Sequence, residues 1–433
     1  MNKIGVLFKG DKGIWTVFLF LCLISIVEVF SASSTLTYKS QDYLGPLFYH
    51  CGTILAGLVV AIVTLNIQCR YFKLITPILL ITPILLIITY ATLIWVLVFG
   101  ESINGANRVI QLPGFTFQPS EIAKGTMVLF TAQILSALQR DDDSGADPLA
   151  MKYILWMTVP AVLLIGLENL STAILLFAVI GTMMILGRVP WKQIAKLAGV
   201  LVACAALFLG LVFGLGSMDK EAEQELADAR AGVKTERVVE KNKGEKNAFE
   251  KLTHRFGTWR NRLLMPGKPE DPKDYKITDK NFQVTHANLA IASCGIIGKG
   301  PGNSVERDYL PQAFSDFIYA IIIEEMGIIG AILVVFLYVI LLFRAARIAS
   351  RCENNFPAFL VMGLALLLVY QAVINMCVAV DFGIVTGQPL PLVSKGGTST
   401  IVNCAYIGVI LSVSKSAKRV QVQSAETLDG SNP

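Results

Sequence analysis

The sequence predicts an all-α polytopic membrane protein, with about ten transmembrane helices and a large extracytoplasmic loop between the seventh and eighth. Three observations lead there. The 433 residues are 54% hydrophobic and 16% charged, where a soluble domain carries about 25% charged residues, and mean hydropathy is +0.60. The charges are unevenly spread: residues 218–280 hold 13 acidic and 15 basic side chains, against a chain total of 37 basic and 32 acidic. Outside that stretch, apolar runs recur at the length of about 20 residues that a hydrocarbon core requires.

Taken in order, the runs lie near 14–33, 46–66, 73–99, 119–138, 152–166, 169–187, 196–217, 316–344, 357–380 and 398–414. The first follows a basic head and has no small-residue cleavage site, so it reads as a retained span. The fifth and sixth meet at "GLENLSTA" with almost no loop between them, which leaves open a single bent or re-entrant segment there. Lys and Arg in short loops set orientation. With the N-terminus inside, the cytoplasmic side holds Lys3, Lys9, Lys12, Arg70, Lys73, Arg140, Lys152, Arg188, Lys192, Lys196, Arg344, Arg347, Arg351, Lys415, Lys418 and Arg419. The opposite short loops hold Lys39, Arg108 and Lys395. Both termini are therefore expected in the cytoplasm, with 100–118, 218–315 and 381–397 outside as loops. The chain divides into 1–217 (seven spans), 218–315 (the large loop, its charged start a solvated insert), 316–414 (three spans) and a short tail at 415–433.

The eight cysteines form no CxxC, and the three histidines have no metal-ligand spacing, so neither a redox motif nor a zinc motif is present. The chemistry is sought in polar residues placed against apolar runs. In "NGANRVIQLPGFTFQPSEIAKG", Pro119 suits a first helical turn, and Glu121 and Lys124 share a face three residues apart. They are either a structural ion pair or part of a site. Arg108, just before them, is a candidate anion ligand or a solvated loop arginine. "GIIGKGPGNS" carries Lys299 in a glycine-rich loop that could offer N–H groups to a phosphate, although turn glycines explain it as well. "TGQPLPLVSKGGTST" supplies Ser394, Lys395, Thr398 and Ser399 at an outer helix start, where hydrogen bonding into a cavity and plain capping both fit.

"LPQAFSDFIYAIIIEEMG" places Asp316 at the mouth of an apolar run, with Ser315 as a candidate cap, and Glu324 and Glu325 inside the run. A rise of about 1.5 Å per residue puts Glu324 roughly 12 Å deeper than Asp316. Asp316 then faces outer polar space, while the two glutamates are expected to make interhelical contacts. The plainer reading of Asp316 is a carboxylate placed to complement the helix dipole.

Together these stretches resemble the SEDS family (shape, elongation, division and sporulation). The family's "GANRW", "QPSEIAK", "QVTQSLIAIGSGGLFGKGLGNS", "LPEAHTDFIFAIIGEELG" and "LPLISYGGSS" stand here, in the same order, as "GANRV", "QPSEIAK", "QVTHANLAIASCGIIGKGPGNS", "LPQAFSDFIYAIIIEEMG" and "LPLVSKGGTS". "GANR" and "GGTS" are closer to the FtsW-type branch than to the RodA-type branch. Departures include "LENLSTA" for "QPDLGTA", "THA" for "TQS", Val109 for a tryptophan, Lys395 for a tyrosine and Ala379 for an asparagine.

The resemblance implies a peptidoglycan glycosyltransferase of the bacterial inner membrane, polymerising lipid II at the outer face for septal wall synthesis. It carries the family's essential acid over to Asp316, its loop arginine to Arg108, and its Glu and Lys to Glu121 and Lys124. Asp316 is then the base for the acceptor hydroxyl. Arg108, Lys124, Lys299 or Lys395 would face the lipid diphosphate, with a divalent cation the one candidate cofactor. The implied partners are lipid II, a class B penicillin-binding protein and other membrane proteins of the division or elongation machinery, with no nucleic acid. The competing classes are a lipid II flippase, drawing on Glu121, Lys124, Glu324 and Glu325, and a scaffold that recruits a transpeptidase.

Overall fold

The computed structural model describes residues 9–33, 45–67, 81–103, 106–112, 115–140, 145–203, 206–207, 210, 282–310, 313–382 and 387–429, with 81–83, 101–103, 106–108, 112, 115 and 418–429 as backbone only. The elements are α1 (Lys12–Ala32), α2 (Gly45–Asn66), α3 (Ile81–Phe99), β1 (Glu101–Ile103), β2 (Ala106–Leu112), β3 (Phe115–Phe117), α4 (Pro119–Ala137), α5 (Pro148–Glu168), α6 (Leu170–Leu186), α7 (191–203), α8 (Phe282–Ala292), α9 (Ile318–Ala349), α10 (Asn355–Ala379) and α11 (Gly397–Asp429). The charged insert that opens the large loop lies outside the described residues. Two units separate by contacts; the smaller, 191–276 with 383–385, contributes α7 alone among the described helices, and the rest belong to the larger.

Six described helices are long and apolar enough to cross a membrane, and two shorter ones are also apolar. The side chains facing outward along them, among them Leu55, Trp156, Ile332 and Phe336, are exposed large apolars, as lipid contact requires. α5 and α6 are separate helices. Asn169 ends the first and caps the second, its side chain accepting from the Thr172 N–H at 3.2 Å, so a single residue turns the chain. α10 lies centrally, packed on α9, α4, α6 and α11. α11 continues to Asp429, beyond the expected end of the last span near 414.

At the expected cytoplasmic side, Asp11 caps α1 and pairs with Arg344 of α9, whose Nε lies 2.9 Å from Oδ1. Burial pushes the Asp11 carboxyl up, but the Arg344 hydrogen bond and charge and the N–H groups of Ile14 and Gly13 hold it below its ordinary value.

Two outer segments expected as loops are structured. The 100–118 stretch forms a three-stranded antiparallel sheet, β1-β2-β3, whose two-residue connections are Asn104-Gly105 and Pro113-Gly114. Asn-Gly is the strongest short hairpin signal in a sequence, so this sheet was legible. The 282–310 stretch is α8 followed by the glycine-rich loop, and both pack along α9. Gly298 and Gly327 make that contact: both have positive φ, and a Cβ on either would lie 2.3 Å from a carbonyl oxygen of the other's segment.

Candidate active site at the outer mouth of the bundle

Asp316 lies in a turn, 313–317, immediately ahead of α9. The helix starts at Ile318 with Phe317 as its N-cap, so Ser315 does not cap it; Ser315 Oγ instead donates to Asp316 Oδ1 at 3.0 Å. Three consecutive carbonyls of this turn each accept a hydrogen bond from another part of the chain. Lys395 N donates to Phe314 O at 2.9 Å, Ser394 Oγ to Ser315 O at 2.6 Å, and Asn375 Nδ2 to Asp316 O at 2.8 Å. The Asp316 carboxylate is half-buried on a backbone that cannot readily swing.

The gripping segment, 387–396, is itself tied down. Leu390 N donates to Ser394 Oγ at 2.7 Å, Asn375 Nδ2 also donates to Gln388 O at 2.7 Å, and Gln388 donates to Thr172 at the start of α6. Ser394, expected to bind substrate, thus spends its hydroxyl on the main chain. Lys395 is half-buried, with its ammonium 5.0 Å from the centre of the Phe314 ring, a cation–π distance. Burial pushes its pKa below the ordinary lysine value. Thr398 Oγ1 accepts from Gln118 N at 3.2 Å, tying α11 to the start of α4, and Ser399 is buried, its hydroxyl 3.4 Å from the Asn403 amide. Both have structural partners where substrate contact was expected.

Glu121 and Lys124 form the expected pair at 2.9 Å, fully buried. Lys124 Nζ also donates to Gln371 Oε1 at 2.7 Å, and Gln371 Nε2 to Pro389 O at 3.0 Å. Gln371 and Asn375 are four residues apart, so they share one face of α10 and carry both the ion pair and the Asp316 turn on one frame. Sequence reading missed them, although two amides at helical spacing in "VYQAVINMC" were a visible signal. Among the described residues, Glu121 Oε2, Asn375 Oδ1 and Gln388 Oε1 are buried acceptors with no hydrogen-bond partner.

Lys299 and the glycine-rich loop take a different role from the expected phosphate cradle. The loop's N–H groups serve carboxylates of the chain itself. Gly302 N and Ser304 N donate to Glu325 at 3.0 and 3.2 Å, and Val305 N and Glu306 N to Glu324 at 3.0 and 3.4 Å. Lys299 Nζ lies 2.6 Å from Glu324 Oε1 and 2.9 Å from Ser293 Oγ, so its charge is matched inside the protein. Ser31 of α1 donates to Glu325 and accepts from Arg307 Nη1 at 2.6 Å, which is the expected interhelical contact.

Arg108 is placed by its backbone alone: in β2, between Asn107, paired with Ser102, and Val109, paired with Glu101, it is the extra residue of a bulge. Bulges of this kind gather beside active sites, where they re-aim a strand. The strand's partner β3 packs on α11, whose first residues follow Lys395. Among the described residues no three His, Cys, Asp or Glu side chains converge as metal ligands.

The profile of the FtsW/RodA/SpoVE family, described as "Cell cycle protein", matches residues 11–218 and 253–419. A "Probable peptidoglycan glycosyltransferase FtsW" of Halomonas elongata is 29% identical over 407 residues, covering 91% of this chain and 87% of the relative. The "Peptidoglycan glycosyltransferase MrdB" of Escherichia coli is 27% identical over 396 residues, covering 91% and 92%. The fold is similar to a chain from "Structural coordination of polymerization and crosslinking by a peptidoglycan synthase complex", with TM-score 0.66, 21% identity, and 95% of this chain and 99% of that one covered. It is also similar to the RodA of Thermus thermophilus, with TM-score 0.59, 22% identity, and 95% and 98% covered.

Proposed function

The chain belongs to the FtsW/RodA/SpoVE family of cell cycle proteins, and from that premise we propose that it is a peptidoglycan glycosyltransferase, polymerising lipid II at the outer face of the cytoplasmic membrane. The observation that carries the reading is the gripped turn: a half-buried carboxylate, Asp316, at an outer helix mouth, with Lys395 packed on the same turn. The reading puts both termini in the cytoplasm; the arginines Arg344, Arg347 and Arg351 at one end of α9, with Arg344 paired to Asp11 near the N-terminus, support it.

In the reaction, the 4-hydroxyl of one lipid-linked sugar attacks the anomeric carbon of another. Asp316 takes the hydroxyl proton as the new C–O bond forms. The bond to the lipid diphosphate breaks with inversion, and the departing oxygens gain negative charge. Lys395 packs on the turn and supplies positive charge there; Arg108, the extra residue of the β2 bulge, is proposed as a second cation for the diphosphate. The Glu121–Lys124 pair holds the inner wall through Gln371. No nucleotide is consumed, because the diphosphate-linked donor is already activated. The partner is a class B penicillin-binding protein, which cross-links the strands, within the division machinery that the FtsW-type motifs indicate.

A flippase draws less support. Two of its four candidate groups, Glu324 and Glu325, are sealed by loop N–H groups and paired cations, so they line no route.

The deciding experiment gives purified protein lipid II, with and without its transpeptidase, and measures glycan chains. Asp316→Asn keeps the size of the side chain but removes the base, a loss of roughly 100- to 10,000-fold. Near-normal chain synthesis by that variant would remove Asp316 from the mechanism.

A further inference from the structure

We infer that Asn375 and Ser394 are positioning residues for Asp316, fixing the carboxylate through the main chain that carries it; this rests on the assignment of Asp316 as the base. Both side chains are almost fully buried, at 1% and 3% exposure, so neither rotamer is free to drift. Asn375 uses its amide hydrogens on two carbonyls from different segments, Asp316 O and Gln388 O. Ser394 uses its hydroxyl in both directions, donating to Ser315 O and accepting from Leu390 N.

The result is a closed frame. α10 holds the turn and the 387–396 segment, and that segment holds the turn again one carbonyl earlier. A turn that precedes a helix has no ladder of its own to order its carbonyls, so its φ and ψ are soft unless outside donors fix them. A general base must come within about 2.6–3.2 Å of the proton it takes. A displacement of about 1 Å there can cost roughly 100-fold in rate.

The plainer account, that Asn375 merely fills a polar gap, does not explain why both hydrogens of its amide go to main-chain carbonyls of the two segments that build the site. One turn away, Gln371 sets Lys124 against the same segment through Pro389 O, so ion pair and base keep a common register.

The test uses the full-length protein in lipid nanodiscs with its class B penicillin-binding protein, and measures polymerisation against lipid II concentration. Asn375→Leu and Ser394→Ala should each lower kcat about 10- to 100-fold, with KM changed less than about twofold. Ser394→Thr, which keeps the hydroxyl, should recover most of the loss. Hydrogen–deuterium exchange of the 313–317 amides, read without turnover, should quicken in Asn375→Leu while exchange in α4 and α6 stays as in the parent. A raised KM with unchanged kcat would make these residues substrate contacts and overturn the inference. So would unchanged kcat, or activity lost only in proportion to folded protein with exchange at 313–317 unaltered. Activity surviving in Asp316→Asn is a separate outcome: it removes the base, whereas the exchange experiment still reports whether the frame exists.

Discussion

Glu325 and Glu121 are both glutamates on helices of the bundle with almost no exposure, but their surroundings differ. Glu325 accepts from Gly302 N, Ser304 N and Ser31, with Arg307 at 3.7 Å, and its neighbour Glu324 is equally well supplied. Glu121 has one oxygen on Lys124 and, among the described residues, no hydrogen-bond partner for the other. A buried polar group normally finds its partners, and a fully matched network rigidifies what it joins. The Glu324–Glu325 cluster therefore reads as a brace between α1, the glycine-rich loop and α9. The Glu121–Lys124 pair is linked instead through Gln371 to the segment that grips Asp316.

The sharpest way to break that comparison is at the brace. Gly327→Ala would put a Cβ 2.3 Å from Ile296 O at a φ of +69°. We expect no monodisperse protein by size-exclusion chromatography, and a well-folded variant would show that the loop does not need this approach. Glu325→Leu should follow, because it leaves the Ser31 hydroxyl and two loop N–H groups without their acceptor and removes the carboxylate 3.7 Å from Arg307. Breaking a buried charge cluster on one side costs about 3–5 kcal/mol, which should appear as a large drop in the thermal midpoint in detergent.

Glu121→Gln tests the other half. It keeps an acceptor for Lys124 but removes the charge, so the fold should persist while glycan synthesis falls, by roughly 100-fold, the low end of the scale for one lost electrostatic contact in a site. Stability lost without a matching loss in rate per folded molecule would return Glu121 to structure.

Lys395 gives a pH test. Burial lowers its pKa, so it loses its charge at a lower pH than an exposed lysine. Stabilisation of a departing diphosphate should therefore fade on the alkaline side of the pH–rate profile. Lys395→Arg, charged throughout, should extend activity upward in pH; coincident alkaline limbs would exclude Lys395 as the charge involved. The smallest effect is expected at Thr398→Val, which leaves the Gln118 N–H unmatched and should cost about 1 kcal/mol in thermal unfolding.

How much of this was legible follows from range. The helical membrane bundle and the Glu121–Lys124 pair come from local rules: hydrocarbon thickness fixes run length and helical period fixes which residues share a face. The sheet at 101–117 was also local, signalled by Asn104-Gly105, yet the loop reading passed over it. What the sequence could not show is where each donor spends its hydrogens. Lys299 and Glu324 are 25 residues apart, Ser394 and Ser315 are 79, and Lys124 and Gln371 are 247. "GIIGKGPGNS" has the composition of an anion cradle, and it is one, but the anions are Glu324 and Glu325 of the same chain. Composition and apolar run length determined that the chain is a helical membrane bundle. Only the packing of α1, α9 and α10 decided which charges are neutralised within the fold and which remain for chemistry, because a hydrogen bond is spent on whichever group the tertiary structure brings within about 3 Å.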